Sequence, residues 1–435
     1  MKLLKKIKTK KAIIGVVGLG YVGLPLCIRF LEKGFKVKGL DKNKRKVEDL
    51  KKYNSHIINV KKNILKKYFS RNFEISSNNN ILSGVDILII CVPTPIKKNK
   101  DPEMRYIYQA SEQIKPYLKK DQAIIVESTV YPGATEEYFV PIIKKLKLSL
   151  GKNFFLGFSP EREDPGNKKY SISKGNIPKI VSGSTNNCKK IVEKIYKSIS
   201  TTVTVSSIKT AEFTKLLENV YRSINIGFVN EMKTIAHSMG INIHEAINAA
   251  KSKPFGFQAF YPGPGLGGHC IPIDPHLLAW QAKNFNANAN FIKLSSIVNE
   301  SMCNFAVKIL KSALKKNKKN IIKKKILVLG MAYKKNSNDL RESPSFRLIE
   351  ILQRLGCKID CSDPYIKNIK QINEVKKLNN INLISINQKN LKKYDAAILI
   401  TNHDNFKYKL IEKYSKIVID TRNSFSESSK KVYKA

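Results

Sequence analysis

One stretch near the N-terminus limits what this chain can fold into. Residues 12–17 (AIIGVV) are an apolar run, and Gly18-Leu19-Gly20-Tyr21-Val22-Gly23 follows in the spacing G-x-G-x-x-G. Helical periodicity then runs to about Lys33, Gly34 stops it, and a second apolar run, 35–40, ends in Asp41. Buried parallel strands read as continuous apolar runs, so the order is strand, turn, helix, strand. In such a unit the first glycine makes the turn, the second admits a pyrophosphate and the third packs helix on strand. The helix N-terminus faces the phosphates. Asp41 lies 18 residues beyond the last glycine. An acid there accepts hydrogen bonds from a ribose diol and repels a 2′-phosphate, which predicts NAD as cofactor. Lys42, Arg45 and Lys46 follow closely and keep NADP open.

The basic head MKLLKKIKTKK before this run imitates a signal peptide. Regular glycines and the charged continuation through Arg29 and Glu32 argue for the strand-turn-helix reading. No other run is long enough to span a bilayer, so no membrane role is expected.

Further apolar runs continue the sheet at 86–92, closed by Pro93-Thr94-Pro95, and at 123–127, leading into Glu127-Ser128-Thr129. Tyr131-Pro132-Gly133 opens a helix; the run 154–158 precedes Ser159-Pro160-Glu161-Arg162-Glu163-Asp164, and 179–182 and 201–206 complete the sheet. Open α/β sheets bind ligands at the carboxyl ends of their strands. From about 208 to 239 the pattern is helical, and Lys215 and Asn219, four apart, share one face. A helix of roughly 290–316 then leads to a lysine-rich run at 315–325 that marks a boundary. A second α/β unit follows: strand 325–330, a helix from Pro344 to Leu355, strand 357–362 into Asp363, and strands 395–400 and 416–420. It repeats β-α-β logic without the glycine fingerprint, which fits either a second nucleotide-like ligand bound differently or a purely structural domain.

The expected fold is therefore α/β, with two Rossmann-like parallel-sheet domains joined by a central helical domain with a long connecting helix. The expected division is 1–206, 207–318 and 319–435, and 435 residues suffice for two or three cores. The formal net charge of +45 raises nucleic acid or an anionic surface as a partner. The lysines are scattered through every segment alongside many Asn and Ile, with no RNP-type motif or zinc-finger spacing, so no nucleic-acid function is expected. A basic surface still draws in phosphorylated substrates. Seven cysteines without a C-x-x-C fit a reducing compartment, here the cytoplasm. The six histidines show no metal-ligand spacing, so no metal is expected.

The stretch Tyr261–Pro275, YPGPGLGGHCIPIDP, places Cys270 behind a Gly-Gly pair and four residues before Asp274. A cysteine on such a turn is reachable, and its thiolate is a nucleophile. A Pro/Gly surface loop with a structural cysteine is the plainer alternative. A hydride acceptor together with a thiol nucleophile implies oxidation through a thioester.

The segments GVVGLGYVGLPL, VPTP, EST, SPERE, KLLEN, GGHCIPIDP and MAYKKNSNDLRESPS, in this order, resemble the UDP-glucose/GDP-mannose dehydrogenase family over essentially the whole chain. The resemblance implies a four-electron oxidation of a sugar-nucleotide C6 alcohol to a carboxylate, consuming two NAD, in a homodimer built on the middle helices. By resemblance Cys270 is the nucleophile, Lys215 and Asn219 stabilise the oxyanion, Asp274 and Thr129 position water, and Glu161 is the base for thioester hydrolysis. Gly18, Gly20, Tyr21, Val22, Gly23, Asp41, Lys46, Thr94, Thr129 and Arg341 match cofactor positions. Glu161, Lys215, Asn219, Tyr261, Gly265, Gly267, Tyr333, Lys334 and Arg422 match substrate positions, the last group of three facing the nucleotide part.

Two departures stand out. Many UDP-glucose enzymes carry a second carboxylate four residues after the SPE glutamate, where this chain has Pro165 with Glu163 and Asp164 nearby. They also carry an arginine before the glycine loop, and residues 254–269 contain none. The loop and the run SPEREDPGN look most like the branch that oxidises UDP-N-acetylhexosamines, with UDP-N-acetylglucosamine first, UDP-N-acetylmannosamine second and UDP-glucose third. Two other classes compete: a two-electron β-hydroxyacid-type dehydrogenase, which would not need Cys270, and a basic nucleic-acid-binding protein that keeps only the fold.

Overall fold

The structure is a computed structural model that describes residues 2–57, 60–69, 71–163, 176–369, 378, 381–426 and 429–435. The chain divides into two compact units, Met1–Glu218 with His276–Ala287, and Asn219–Pro275 with Asn288–Ala435.

The first unit holds β1 (Ile13–Val17), β2 (Lys36–Leu40), β3 (Phe73–Ser76), β4 (Ile87–Ile90), β5 (Gln122–Val126), β6 (Phe154–Phe158), β7 (Lys179–Gly183) and β8 (Thr202–Thr204). Among the described residues they form one sheet in the order β3-β2-β1-β4-β5-β6-β7-β8. The six strands from β3 to β6 run parallel. β7 pairs antiparallel to β6, Phe158 opposite Ser182, and β8 returns parallel to β7. Alternation sends Ile14, Val16, Ile87 and Ile89 to one face and Val17, Leu88, Ile90 and Val126 to the other. Each face packs on helices, so the central strands β1, β4, β5 and β6 are buried along nearly their whole length.

The second unit holds β9 (Lys325–Leu329), β10 (Lys358–Ser362), β11 (Ala396–Leu399), β12 (Val418–Asp420) and β13 (Val432–Lys434), in the order β10-β9-β11-β12-β13. All four pairings are parallel. The helical middle of the chain comprises Ile208–Ser238, Ile243–Ala250, Asp274–Lys283 and Asn290–Lys316.

Two parallel-sheet Rossmann-like domains and a central helical region are thus present, as the sequence predicts. The reversed pairing of β6 with β7 is a refinement that apolar runs cannot reveal. The basic head is partly ordered structure: Lys2–Lys8 is helical, with Leu3 and Ile7 buried. Among the described residues no helix is long and apolar enough to cross a membrane, and no cluster of three or more His, Cys, Asp or Glu could hold a metal ion.

The middle helix Ile208–Ser238 buries polar side chains alongside Ala211, Leu216, Val220 and Val229 and exposes an apolar stripe. Glu212, Lys215, Asn219, Ser223, Asn230 and Lys233 are buried, while Phe213, Leu217, Tyr221, Phe228 and Ile235 are exposed. Spacings of three, four and seven put each set on its own side.

Candidate active site

In the first unit the glycine fingerprint behaves as its spacing predicts. Gly18 has φ +99°, and a Cβ there would lie 2.4 Å from the Cys91 carbonyl oxygen. A Cβ on Gly23, the first residue of the helix Gly23–Glu32, would meet the Gly18 oxygen at 1.9 Å. Gly20 by contrast faces open space, the gap a diphosphate needs. Tyr21 and Val22 are half-buried on the same turn. Asp41, just past β2, is buried and accepts hydrogen bonds from Leu19 N (3.0 Å) and Asn43 N (3.0 Å) and an ion pair from Lys46 Nζ (2.7 Å). Burial opposes its charge, but Lys46 and the backbone donors outweigh that and hold the carboxyl below its ordinary range. An ionised acid at the end of β2 suits a ribose diol, and Lys46 is engaged with it. These residues fit NAD.

Thr94 is buried beyond β4, and Thr129 is half-buried beyond β5. Ser128 Oγ donates to Val92 O at 2.7 Å and ties the two strand-end loops together. Beyond β6, Glu161 Oε1 accepts from the backbone N–H groups of Arg162 (2.7 Å) and Glu163 (2.6 Å), and its Oε2 lies 3.4 Å from Lys179 Nζ. Asp164 and Pro165, which bear on the missing second carboxylate, lie outside the described residues. Lys215 is buried, not at the solvent edge where such a lysine usually sits.

One turn before Lys215, Glu212 is buried and receives the N–H groups of Gly133 (2.5 Å) and Thr135 (2.9 Å), at the start of the helix Ala134–Lys145. Burial, only partly offset by those donors, raises its carboxyl from 4.5 to about 7. The folded state therefore binds this proton more tightly than the unfolded chain, so its contribution to stability falls as pH rises from about 4.5 to about 7. The full change is about 3 kcal/mol. Thermal melts across this range should show the wild type losing stability relative to Glu212→Gln as pH rises. Parallel melting curves for the two proteins would disprove the assignment.

In the second unit the exposed Cys270 closes a turn: its carbonyl accepts from Ile273 N (3.1 Å) and Asp274 N (2.8 Å). None of the seven cysteines is disulfide-bonded. Asp274 opens the helix Asp274–Lys283, and its buried carboxylate accepts from Asn219 Nδ2 at 2.5 Å. The helix that carries Asn219 is thereby fastened to the cysteine turn.

The glycine loop before Cys270 is packed against the segment after β9. A Cβ on Gly267 would sit 2.5 Å from Tyr333 Cβ, and Gly268 (φ +87°) donates its N–H to Arg341 O at 2.9 Å. Gly265 backs onto Pro344. Arg341 in turn pairs with Asp339 (Nη2 to Oδ2, 2.6 Å). Beneath the loop, Gly263 N donates to Asn230 Oδ1 (2.9 Å), Asn230 Nδ2 to Asn299 Oδ1 (2.8 Å) and Asn299 Nδ2 to Ser223 O (3.1 Å), all buried. Such satisfied buried networks fix a unique geometry. His269, beside Cys270, has a buried Nε2 with no partner among the described residues, and burial with the charge of Arg341 lowers its pKa to about 4.

Arg422 lies against Gly263, and its Nε donates to Ile400 O at 2.7 Å; burial lowers its pKa to about 10 against the pull of Asp420. Lys334 is half-buried next to Tyr333. Tyr261 is exposed, stacks on His244 and donates to Asn248 Oδ1 at 3.0 Å. The second unit thus brings Gly265, Gly267, Cys270, Tyr333 and Arg341 around one loop and joins Asn219 to Asp274. Tyr261, in the loop, is held apart from that group by His244 and Asn248 on the helix Ile243–Ala250.

The comparisons with known proteins follow the same layout. Residues 12–200 match the NAD binding domain of the UDP-glucose/GDP-mannose dehydrogenase family, 209–301 its central domain and 327–427 its UDP binding domain. The chain belongs to the UDP-glucose/GDP-mannose dehydrogenase family. It is an NAD-dependent nucleotide-sugar dehydrogenase. A UDP-N-acetyl-D-glucosamine 6-dehydrogenase of Pseudomonas aeruginosa is 34% identical over 397 residues, 91% of either chain. A UDP-N-acetyl-D-mannosamine dehydrogenase of Pyrococcus horikoshii is 31% identical over 422 residues, 95% of this chain and 96% of that one. The solved UDP-D-ManNAc dehydrogenase structure from Pyrococcus horikoshii superposes with a TM-score of 0.87 at 30% identity, covering 97% of this chain and 98% of that chain.

Sequence reasoning missed Glu212 and the buried group around Lys179. Glu212 carried a signal, since it falls on the same helical side as Lys215 and Asn219. Lys179 carried none: a lysine at the edge of an apolar run reads as a solvent-facing strand end.

Proposed function

We propose that this dehydrogenase oxidises the C6 hydroxyl of UDP-N-acetylglucosamine to the carboxylate through a thioester on Cys270. The observation that carries the reading is the exposed Cys270 thiol on a turn closed by Asp274 N–H, with the Asp274 carboxylate holding Asn219. NAD, when bound, accepts a hydride in each of two oxidations. Cys270 Sγ adds to the C6 aldehyde, which keeps a reactive intermediate attached. Lys215 and Asn219 stabilise the oxyanion by charge and hydrogen bond. Asp274 and Thr129 position the water, and Glu161 takes its proton. Gly18, Gly20, Tyr21, Val22, Gly23, Asp41, Lys46, Thr94 and Arg341 hold the cofactor. Tyr261, Gly265, Gly267, Tyr333, Lys334 and Arg422 hold the sugar nucleotide.

The Pseudomonas aeruginosa relative and the loop YPGPGLGGHCIPIDP support UDP-N-acetylglucosamine. UDP-N-acetylmannosamine is the second reading, favoured by the Pyrococcus horikoshii relative and its structural likeness. NADH formed per sugar nucleotide decides among UDP-N-acetylglucosamine, UDP-N-acetylmannosamine and UDP-glucose run in parallel. Two NADH from the first, with the others slow, is the expected result. A ratio of one would end the thioester reading, and two from another sugar would change the substrate alone.

The proposed division is 1–206 for NAD, 207–318 for the central helices and 319–435 for the UDP-sugar. The compartment is the cytoplasm. The chain works as a homodimer, and the apolar side of Ile208–Ser238, with exposed Phe291, Leu294 and Ile297 on Asn290–Lys316, supports this. Sedimentation equilibrium should return twice the chain mass; a monomer mass at micromolar concentration would withdraw it.

A further inference from the structure

A buried ionic group lies behind Glu161. Lys179, the first residue of β7, has a fully buried side chain. Its ammonium makes three contacts: Glu127 Oε2 at 2.9 Å, Pro160 O at 3.1 Å and Glu161 Oε2 at 3.4 Å. Glu127, past the end of β5, is itself fully buried and accepts a short hydrogen bond from Tyr196 OH on its other oxygen. The Lys179 ammonium also lies 5.2 Å from the Tyr196 ring centroid, and the Cys91 thiol is close enough to feel both charges. Burial works against the charge on Lys179, but Glu127 and Glu161 outweigh it and push its pKa up.

A buried pair is a poor stability device, because desolvation offsets much of the attraction. Here one cation serves two carboxylates, and only one of them, Glu161, is partly open. Glu127, Tyr196 and Pro160 fix the ammonium, so it forms a rigid anchor point for the Glu161 carboxylate. The two backbone donors on Oε1 fix the other oxygen.

We propose that Lys179 is a positioning residue that confines Glu161 and aims it for thioester hydrolysis. This rests on the reading of Glu161 as base. In that step a water oxygen bonds to the thioester carbon, the C–Sγ bond breaks, Cys270 leaves as thiolate, and the water proton passes to Glu161. Without the ammonium, the Glu161 carboxylate loses its contact on Oε2 and is less confined. Hydrolysis slows while the oxidations that precede it do not depend on Lys179.

The test is pre-steady-state NADH formation with intact-mass detection of the acyl-enzyme, on wild type, Lys179→Met and Glu161→Gln. Lys179→Met should release two NADH per active site in a burst, then turn over about 10- to 100-fold more slowly with the acyl-enzyme accumulated. KM for the sugar nucleotide should fall together with kcat, because hydrolysis of the acyl-enzyme then limits turnover. Glu161→Gln should accumulate the same species. If Glu161→Gln accumulates it and Lys179→Met neither accumulates it nor lowers KM with kcat, the positioning role is overturned and the base reading stands. If Glu161→Gln does not accumulate it, both fall. Should Lys179→Met fail to fold, Lys179→Met/Glu127→Gln, which removes the pair together, is read by the same criteria.

Discussion

Cys270→Ser should lower steady-state carboxylate formation by about 10³-fold or more. A serine hydroxyl is a far weaker nucleophile than a thiolate, so aldehyde capture fails first. The fold should survive, because the turn is closed by the Cys270 carbonyl and not by its sulfur. The variant is therefore expected to melt within a few degrees of the wild type and to bind the sugar nucleotide with unchanged affinity. Activity is measured as NADH per sugar nucleotide, with the acyl-enzyme sought by intact mass. A Cys270→Ser enzyme that still yields two NADH at the wild-type rate would restore the two-electron class of dehydrogenase as the better reading.

Lys215→Met should cost about 10²- to 10³-fold in kcat with KM little changed. Lys215 is buried on the polar side of its helix, one turn from Glu212 and one from Asn219. A preorganised cation in a site screened from water stabilises developing oxyanion charge far more than a solvated one does. Methionine keeps most of the volume, so the loss would report charge and not packing. A rise in KM with kcat intact would instead make Lys215 a substrate-binding group.

How much of this was legible in the chain depends on the physics of each feature. β1, β4, β5 and β6 are buried on both faces, so their apolar runs stand out to within a residue or two. β3 (FEIS) sits at a sheet edge and so does β13 (VYK), and strands that short carry too little pattern to read. The glycine turn was legible because sterics leave no choice: only glycine tolerates a carbonyl oxygen 1.9 Å from where Cβ would be at position 23. The Asn219–Asp274 hydrogen bond joins residues 55 apart and the Lys179–Glu127 pair residues 52 apart, and local pattern cannot encode either. Burial of Lys215 was hidden for another reason: exposed Phe213 and Leu217 beside it suggested that the apolar side faced inward.

The two halves also differ in what their strand-end acids are used for. Gly18 N donates to Leu40 O after β1, and Gly330 N donates to Ser362 O after β9 in the same way. Asp41 and Asp363 then follow β2 and β10 at matching places. Asp41 accepts one bond from the turn, from Leu19 N, whereas Asp363 accepts from both Met331 N (2.7 Å) and Ala332 N (3.1 Å) and is bonded to the buried His403 Nε2 at 3.0 Å. The second acid is committed to scaffold. Anyone redesigning the C-terminal half into a second dinucleotide carrier would gain little by restoring glycines at its turn. The histidine clasp on Asp363 would have to be dismantled as well, and the turn it holds would have to be supported by something else.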